Sequence, residues 1–109
     1  MTTRSLDLDA LRRAVKAGRI EWQRHALERM AERGIATADV KRVLAEGDRI
    51  EDYPDAYPLP AGLLFGWFGD RPLHIVVAFD DAAAKAYIIT AYEPTLEHFG
   101  PDFRTRKRK

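Results

Sequence analysis

The chain has 109 residues, of which 46% are hydrophobic and 32% charged, and it contains no cysteine. That length suits one domain large enough for its own core, the apolar content excludes a disordered chain, and the missing cysteines exclude a disulfide framework, a thiolate nucleophile and a thiolate zinc site. The net charge of +1 conceals a segregation, with 10 basic and 7 acidic residues in 1–47, 3 and 9 in 48–99, and 5 and 1 in 100–109, so a uniformly nucleic-acid-coating protein is excluded while the basic ends remain suited to a polyanion.

Ser5-Leu-Asp-Leu-Asp opens a first helix, with capping side chains and acidic residues at the positive end of its dipole. Leu8, Leu11 and Val15 form its apolar stripe and Gly18 stops it. Ile20-Glu-Trp22 reads as a brief strand or a packed turn. A second helix spans about 23–33 with Ala26, Leu27, Met30 and Ala31 on its apolar face, and Gly34 ends it. Thr37 is expected to cap a third helix carrying Val40, Val43 and Leu44, which Gly47 ends. After Gly47 the hydrophobic period changes to two. Residues 48–53, 62–68, 73–79 and 84–92 read as strands. Three prolines make 53–60 a loop, and 69–72 and 80–81 are turns. Short links between successive strands favour an antiparallel meander. The expected fold is α+β: N-terminal helices packed on a four-stranded antiparallel sheet, as one domain over 1–99, with one helical turn near 94–99 and a loose basic tail over 100–109.

The segment Arg24-His25-Ala-Leu-Glu28-Arg29-Met-Ala-Glu32-Arg33 carries the densest chemical signal. His25, Arg29 and Arg33 lie at i, i+4 and i+8 and drift only about 80° around the helix. An imidazole able to exchange a proton near neutral pH, beside two guanidiniums able to hold phosphate oxygens, suits a phosphodiester. Interleaved Glu28 and Glu32 also fit a plain solvated helix face, which spacing alone favours. His74 sits within an apolar strand, either hydrogen-bonded at a sheet edge or projecting as a second proton carrier. Thr90 and Tyr92 share a strand face and can orient a phosphate or a 2′-hydroxyl, or simply fill a strand. Tyr53, Tyr57, Trp67 and Phe68 offer aromatic surface for base stacking, with core packing the favoured role of Trp67 or Phe68. Arg104, Arg106, Lys107, Arg108 and Lys109 suit nonspecific nucleic-acid binding or a solubilising end. His25, His74 and His98 lack metal-ligand spacing, and Asp48, Glu51 and Asp52 lack a calcium-loop pattern, so no metal and no cofactor are expected. Phosphate-loop and nucleophile-elbow motifs are absent, and Ser5 is the only serine. The longest unbroken apolar runs fall far short of the roughly 18–20 residues of a membrane span, and Asp7 and Asp9 interrupt any signal region, so a cytoplasmic protein is expected.

His25-x-x-x-Arg29-x-x-x-Arg33-Gly-Ile, followed by the Val40/Val43-Leu44 helix ending at Gly47, resembles the opening of the domain family of unknown function numbered 4258. Arg71-Pro-Leu-His-Ile-Val-Val77, Tyr87-Ile-Ile-Thr-Ala-Tyr-Glu-Pro94 and Phe99-Gly-Pro-Asp-Phe-Arg-Thr-Arg106 resemble the remainder of its pattern, over about residues 20–106. The resemblance implies a fold related to RelE-like and BrnT-like toxins, small metal-independent ribonucleases, and a site made of His25, Arg29 and Arg33 from the helix with His74, Thr90 and Tyr92 from the sheet. It also implies an antitoxin partner of zinc-finger or helix-turn-helix type, with RNA as substrate. The expectation is therefore an endoribonuclease toxin that cleaves by 2′-hydroxyl attack. The alternative is a non-catalytic, toxin-like module that binds a protein partner and contacts nucleic acid through its tail.

Overall fold

In the computed structural model, which describes residues 5–106, the chain alternates between two modes of local order. Helix α1 (Leu8–Lys16) starts at Asp7, whose carboxylate accepts from the Ala10 amide at 3.0 Å, and Gly18 closes it in the left-handed conformation, φ 79°. Strand β1 (Ile20–Trp22) leads into α2 (Arg24–Glu32), which Gly34 ends in the same way, φ 69°. Helix α3 (Thr37–Glu46) begins one residue earlier than the sequence suggests: Ala36 is its cap, and Asp39 accepts from the Ala36 amide at 3.1 Å. Thr37 is thus the first helical residue rather than the cap. Strands β2 (Asp48–Tyr53), β3 (Ala61–Phe68), β4 (Arg71–Asp80) and β5 (Lys85–Tyr92) follow as a meander.

The sheet has five strands in the order β1-β5-β4-β3-β2. The expected four antiparallel strands are present, but β1 joins their edge in parallel, pairing Ile20 with Ala86 and Trp22 with Ile88. The sheet is therefore mixed. Three residues show no alternation by themselves, and their partner lies far along the chain, so only tertiary pairing makes them a strand.

All three helices cover one face. Leu64, Leu73, Ile75, Val77, Phe79 and Ile88 meet Leu11, Met30, Val40 and Leu44 there in a continuous buried core. Gly66 lets α3 approach β3, because a Cβ at that position would lie 2.8 Å from Val43 Cγ2. Of the expected apolar face of α2 only Ala26 and Met30 are buried.

The other sheet face has no helix on it. Residues 94–106, the last part of which reads in the sequence as a loose tail, instead form a packed strap. The amides of His98 and Phe99 close one turn on the Thr95 carbonyl. Asp102 accepts from the amides of Arg104 and Thr105 and from the Thr105 hydroxyl, and Phe99 bridges to Arg106. Phe99 lies under the strap at 2% exposure. Short side-chain-to-amide bonds of this kind order a segment without helical or strand periodicity. Lys107, Arg108 and Lys109 lie outside the described residues.

Candidate functional site

The strand register writes three rows of side chains across the uncovered face. Asp48, Phe65, His74 and Tyr92 are successive cross-strand partners, as are Glu51, Leu63, Val76 and Thr90, and then Tyr53, Ala61, Ala78 and Tyr87. Bulges at Arg49/Glu51 and at Val76/Val77 keep these rows on one face despite the odd spacings in sequence.

A connected polar cluster occupies the first two rows and the start of the third. His74 is fully buried. Its Nε2 lies 2.7 Å from the Phe103 carbonyl oxygen, and its Nδ1 lies 3.4 Å from the Tyr92 hydroxyl. A carbonyl only accepts, so Nε2 carries the proton and Nδ1 turns its lone pair toward the Tyr92 hydroxyl. Phe65, Tyr92 and Phe99 all meet the imidazole edge to face. Arg106 grips Glu51 with two bonds, Nε at 3.1 Å and Nη2 at 3.0 Å, and its guanidinium lies over the Phe99 ring at 4.8 Å. The Tyr53 hydroxyl donates to the same Glu51 carboxylate. Beside them Arg104 pairs with Asp48 at 2.6 Å.

Five titratable groups of the cluster depart from their ordinary behaviour. The bonds from Arg106 hold the Glu51 carboxyl below its usual value, against an opposing push from burial. Burial, reinforced by the bond to Glu51, pushes Tyr53 up to about 12. Burial raises Tyr92 as well and lowers His74, with the Phe103 carbonyl opposing part of the latter shift. Near neutrality the cluster is thus an ionised carboxylate, a neutral imidazole, two protonated phenols and a guanidinium. Both phenols lie close enough to Arg106 to feel its charge.

The six residues expected to form one site separate into two groups. His74 and Tyr92 are in contact, and Thr90 lies one row away on the same face. His25 and Arg29 lie on α2 and Arg33 is its C-cap, on the opposite side of the sheet. His25 and Arg29 are exposed, and Arg29 lies 3.6 Å from Glu32. Arg33 turns to the sheet edge, where Nη1 donates to the Ala91 carbonyl at 2.8 Å. A helix packed on one face of a sheet cannot aim its solvent stripe at the other face, so the expected cradle does not close. Arg104 and Arg106, expected as free cations for RNA, are ion-paired to β2. Of Trp67 and Phe68, one of which was expected in the core, Phe68 is buried, while Trp67 is 50% exposed and meets Phe65 and Phe103 edge to face.

Glu51, Tyr53 and Arg106 are the cluster residues that the sequence did not assign to catalysis, Arg106 having been expected only as a nucleic-acid-binding cation of the tail; Glu51 and Tyr53 carry a signal of their own. Their spacing of two in a strand places a carboxylate and a phenol on one face, a signal that the search for calcium-loop spacing passes over. Next to the cluster, Tyr53 also walls a trough of ≈ 540 Å³ that none of the six expected residues lines.

No match is found among curated proteins or among solved structures. A family profile described as "Domain of unknown function (DUF4258)" matches residues 22–93. That span takes in α2, α3 and β2 to β5 with Glu51, Tyr53, His74 and Tyr92, begins at the last residue of β1, and stops before the strap that supplies Phe103 and Arg106. The chain is a member of the DUF4258 family.

Proposed function

We propose that the helix-free sheet face is the site of a metal-independent endoribonuclease. The observation that carries this reading is the convergence of Tyr92–His74, Tyr53–Glu51 and Arg106 in one cluster, because these are the groups that an internal phosphoryl transfer needs. Tyr92 contacts the 2′-hydroxyl and passes its proton to the lone pair on His74 Nδ1. The 2′-oxygen attacks phosphorus and forms a new P–O bond. The bond to the 5′-oxygen breaks, and Tyr53, kept protonated by burial and by Glu51, donates its proton to the departing oxygen. Arg106 offsets the charge on the phosphorane, while Glu51 orients it. The products are a 2′,3′-cyclic phosphate and a free 5′-hydroxyl, so atoms and protons balance. Kinship with the RelE-like and BrnT-like toxins, a toxin role, a cytoplasmic location and a zinc-finger or helix-turn-helix antitoxin belong to the same proposal.

The test is incubation of the purified chain with single-stranded RNA in EDTA. Cleavage leaving cyclic phosphate ends is expected, with 2′-deoxy linkages resistant. Tyr92→Phe and Arg106→Ala are expected to lower the rate by roughly 10²–10⁴, and His25→Ala to leave it unchanged. RNA left intact by folded protein overturns the proposal.

A second reading has its own observation. Among the described residues no buried polar side-chain atom lacks a partner, and Phe103 stands over His74, which favours a non-catalytic module whose strap is permanently docked. It predicts RNA or protein binding with no cleavage under any condition, and binding that Tyr92→Phe does not alter.

A further inference from the structure

The row Tyr53–Ala61–Ala78–Tyr87 differs from its neighbours. The adjoining rows carry Leu63, Val76, Phe65 and His74 at their two central positions, but this one carries two methyl groups. With strands about 4.8 Å apart, the tyrosine Cα atoms stand roughly 14 Å from one another, so the row forms a slot with a flat floor and a phenol at each end. The trough over it has a volume of ≈ 540 Å³, and none of its lining residues carries an ionisable acid or base other than tyrosine. Beyond the phenols, Tyr57 stands on the rim at 95% exposure and Ile89 at 42%. Gln23, at the start of α2, also borders the trough and makes no capping bond with its amide.

We infer that this slot binds an unpaired nucleobase of single-stranded RNA, set edge-on over the Ala61/Ala78 floor with its faces toward Tyr53 and Tyr87. The inference rests on the ribonuclease reading for the identity of the polymer. A neutral, uncharged lining suits a planar heterocycle better than a charged group, and every base presents the π-face that aromatic walls accept. The floor belongs to the inner strands β3 and β4, whose backbone groups are already paired, so an incoming peptide has no ladder to extend there. Gln23 offers one donor and one acceptor to a base edge. The Glu51–Thr90 row lies about 7 Å farther along the strands, and Tyr53 belongs to both the slot and the polar cluster. A base in the slot therefore leaves its adjoining phosphate beside Arg106.

The test is a titration of the full chain with a 2′-O-methyl tetranucleotide carrying 2-aminopurine, which cannot be cut and whose fluorescence falls on stacking. The same oligomer with an abasic residue in that place serves as competitor. Saturable quenching is expected, with the abasic oligomer weaker by about tenfold or more. Ala78→Phe, which fills the floor, is expected to lose the same factor. Tyr87→Ala removes one wall from a partly exposed position and gives the same reading where the filled slot does not fold. Equal binding of intact and abasic oligomers, or full quenching by both variants, overturns the inference. So does saturable binding of an aromatic peptide, followed by calorimetry, with no quenching of the 2-aminopurine oligomer, which assigns the slot to a protein segment. Cleavage of unmodified RNA is scored separately. Base-dependent binding without cleavage removes the ribonuclease reading and leaves the slot standing, and cleavage with equal affinity for the abasic oligomer does the reverse.

Discussion

The two faces of the sheet come from the same strands, yet they are different materials. Toward the helices, adjacent partners are Leu64, Ile75 and Ala91, all buried and all apolar. One residue farther along each strand, the chain turns Leu63, Val76 and Thr90 to the opposite side, and the rows flanking these carry Tyr53, His74 and Tyr92. The face under the helices is held by close packing, which tolerates little loss of volume. The other is held by a strap whose grip combines aromatic edges with hydrogen bonds and ion pairs, all open to competition from protons, salt or ligand. Close apolar packing belongs to the first face and the titratable, hydrogen-bonded groups to the second.

The strongest way to break this contrast is to truncate neighbouring β-branched side chains on opposite sides to alanine. Ile75→Ala removes a fully buried side chain from the helix-side core, and a loss of about 2–5 kcal/mol in unfolding free energy is expected. Its neighbour Val76, only partly buried on the other face, is expected to cost about 1 kcal/mol when truncated to alanine. Urea denaturation of both variants reads the difference, and equal losses refute the division between the faces.

A smaller effect distinguishes the faces by pH. Burial lowers the folded pKa of His74, so on acidification through its ordinary range near 6.5 the unfolded chain takes up a proton that the folded chain refuses. Stability is therefore full above that range and falls as pH drops through it, until the folded pKa is reached. Glu51, also lowered, contributes stability present above about 4.5, its unfolded value, and lost as pH falls toward its folded pKa. Acidification thus weakens the strapped face in two successive steps. His74→Gln retains an amide donor for the Phe103 carbonyl but does not titrate, so the decline in Tm between pH 7.5 and pH 5.5 is expected to shrink in this variant. An unchanged decline places the first step elsewhere.

How much of this was legible in the sequence follows from the range of each interaction. The three helices, their glycine stops and four of the strands are local, and periodicity gives them to within a few residues. Alternation also places His74 opposite the core, but not Tyr92: counted plainly from the Asp80–Lys85 pair, Ala91 would face His74, and the bulge at Val76/Val77 brings Tyr92 there instead. Three features rest on longer-range or irregular contacts. Strand β1 exists only through β5. Residues 94–106 have no period, because Asp102, Phe99 and Phe103 order them through bonds and ring packing rather than through a repeating backbone. The helix series His25, Arg29 and Arg33 has the spacing of a site, but spacing on one helix says nothing about which side of a sheet that helix will cover. The acidic stretch around Glu51 and the basic stretch around Arg106 read as separate compositional biases, and the fold joins them as partners.

The smallest expected effects fall on α2, where sequence spacing pointed first. Arg29 pairs with Glu32 in open solvent, with both side chains more than half exposed, so Arg29→Ala is expected to change stability by less than about 0.5 kcal/mol. Arg33 differs although it shares the same stripe. Strand β1 covers β5 only at residues 86–88, and past Ile88 the outer edge of β5 would leave its carbonyl groups without a strand partner. The Arg33 guanidinium answers one of them, at Ala91, while Arg71 ties the Arg33 carbonyl to Glu93. Losing a charged donor to a partly buried carbonyl costs about 1 kcal/mol, more than a solvated ion pair. Arg33→Ala is therefore expected to destabilise measurably where Arg29→Ala does not, and Arg33→Lys to restore part of the loss, because one ammonium reaches the same oxygen with fewer fixed donors. Amide exchange at β5 residues 89–92 reads the effect directly, since an edge held by one guanidinium frays when it is removed. Equal exchange in the Arg33 and Arg29 variants reduces Arg33 to another solvated charge.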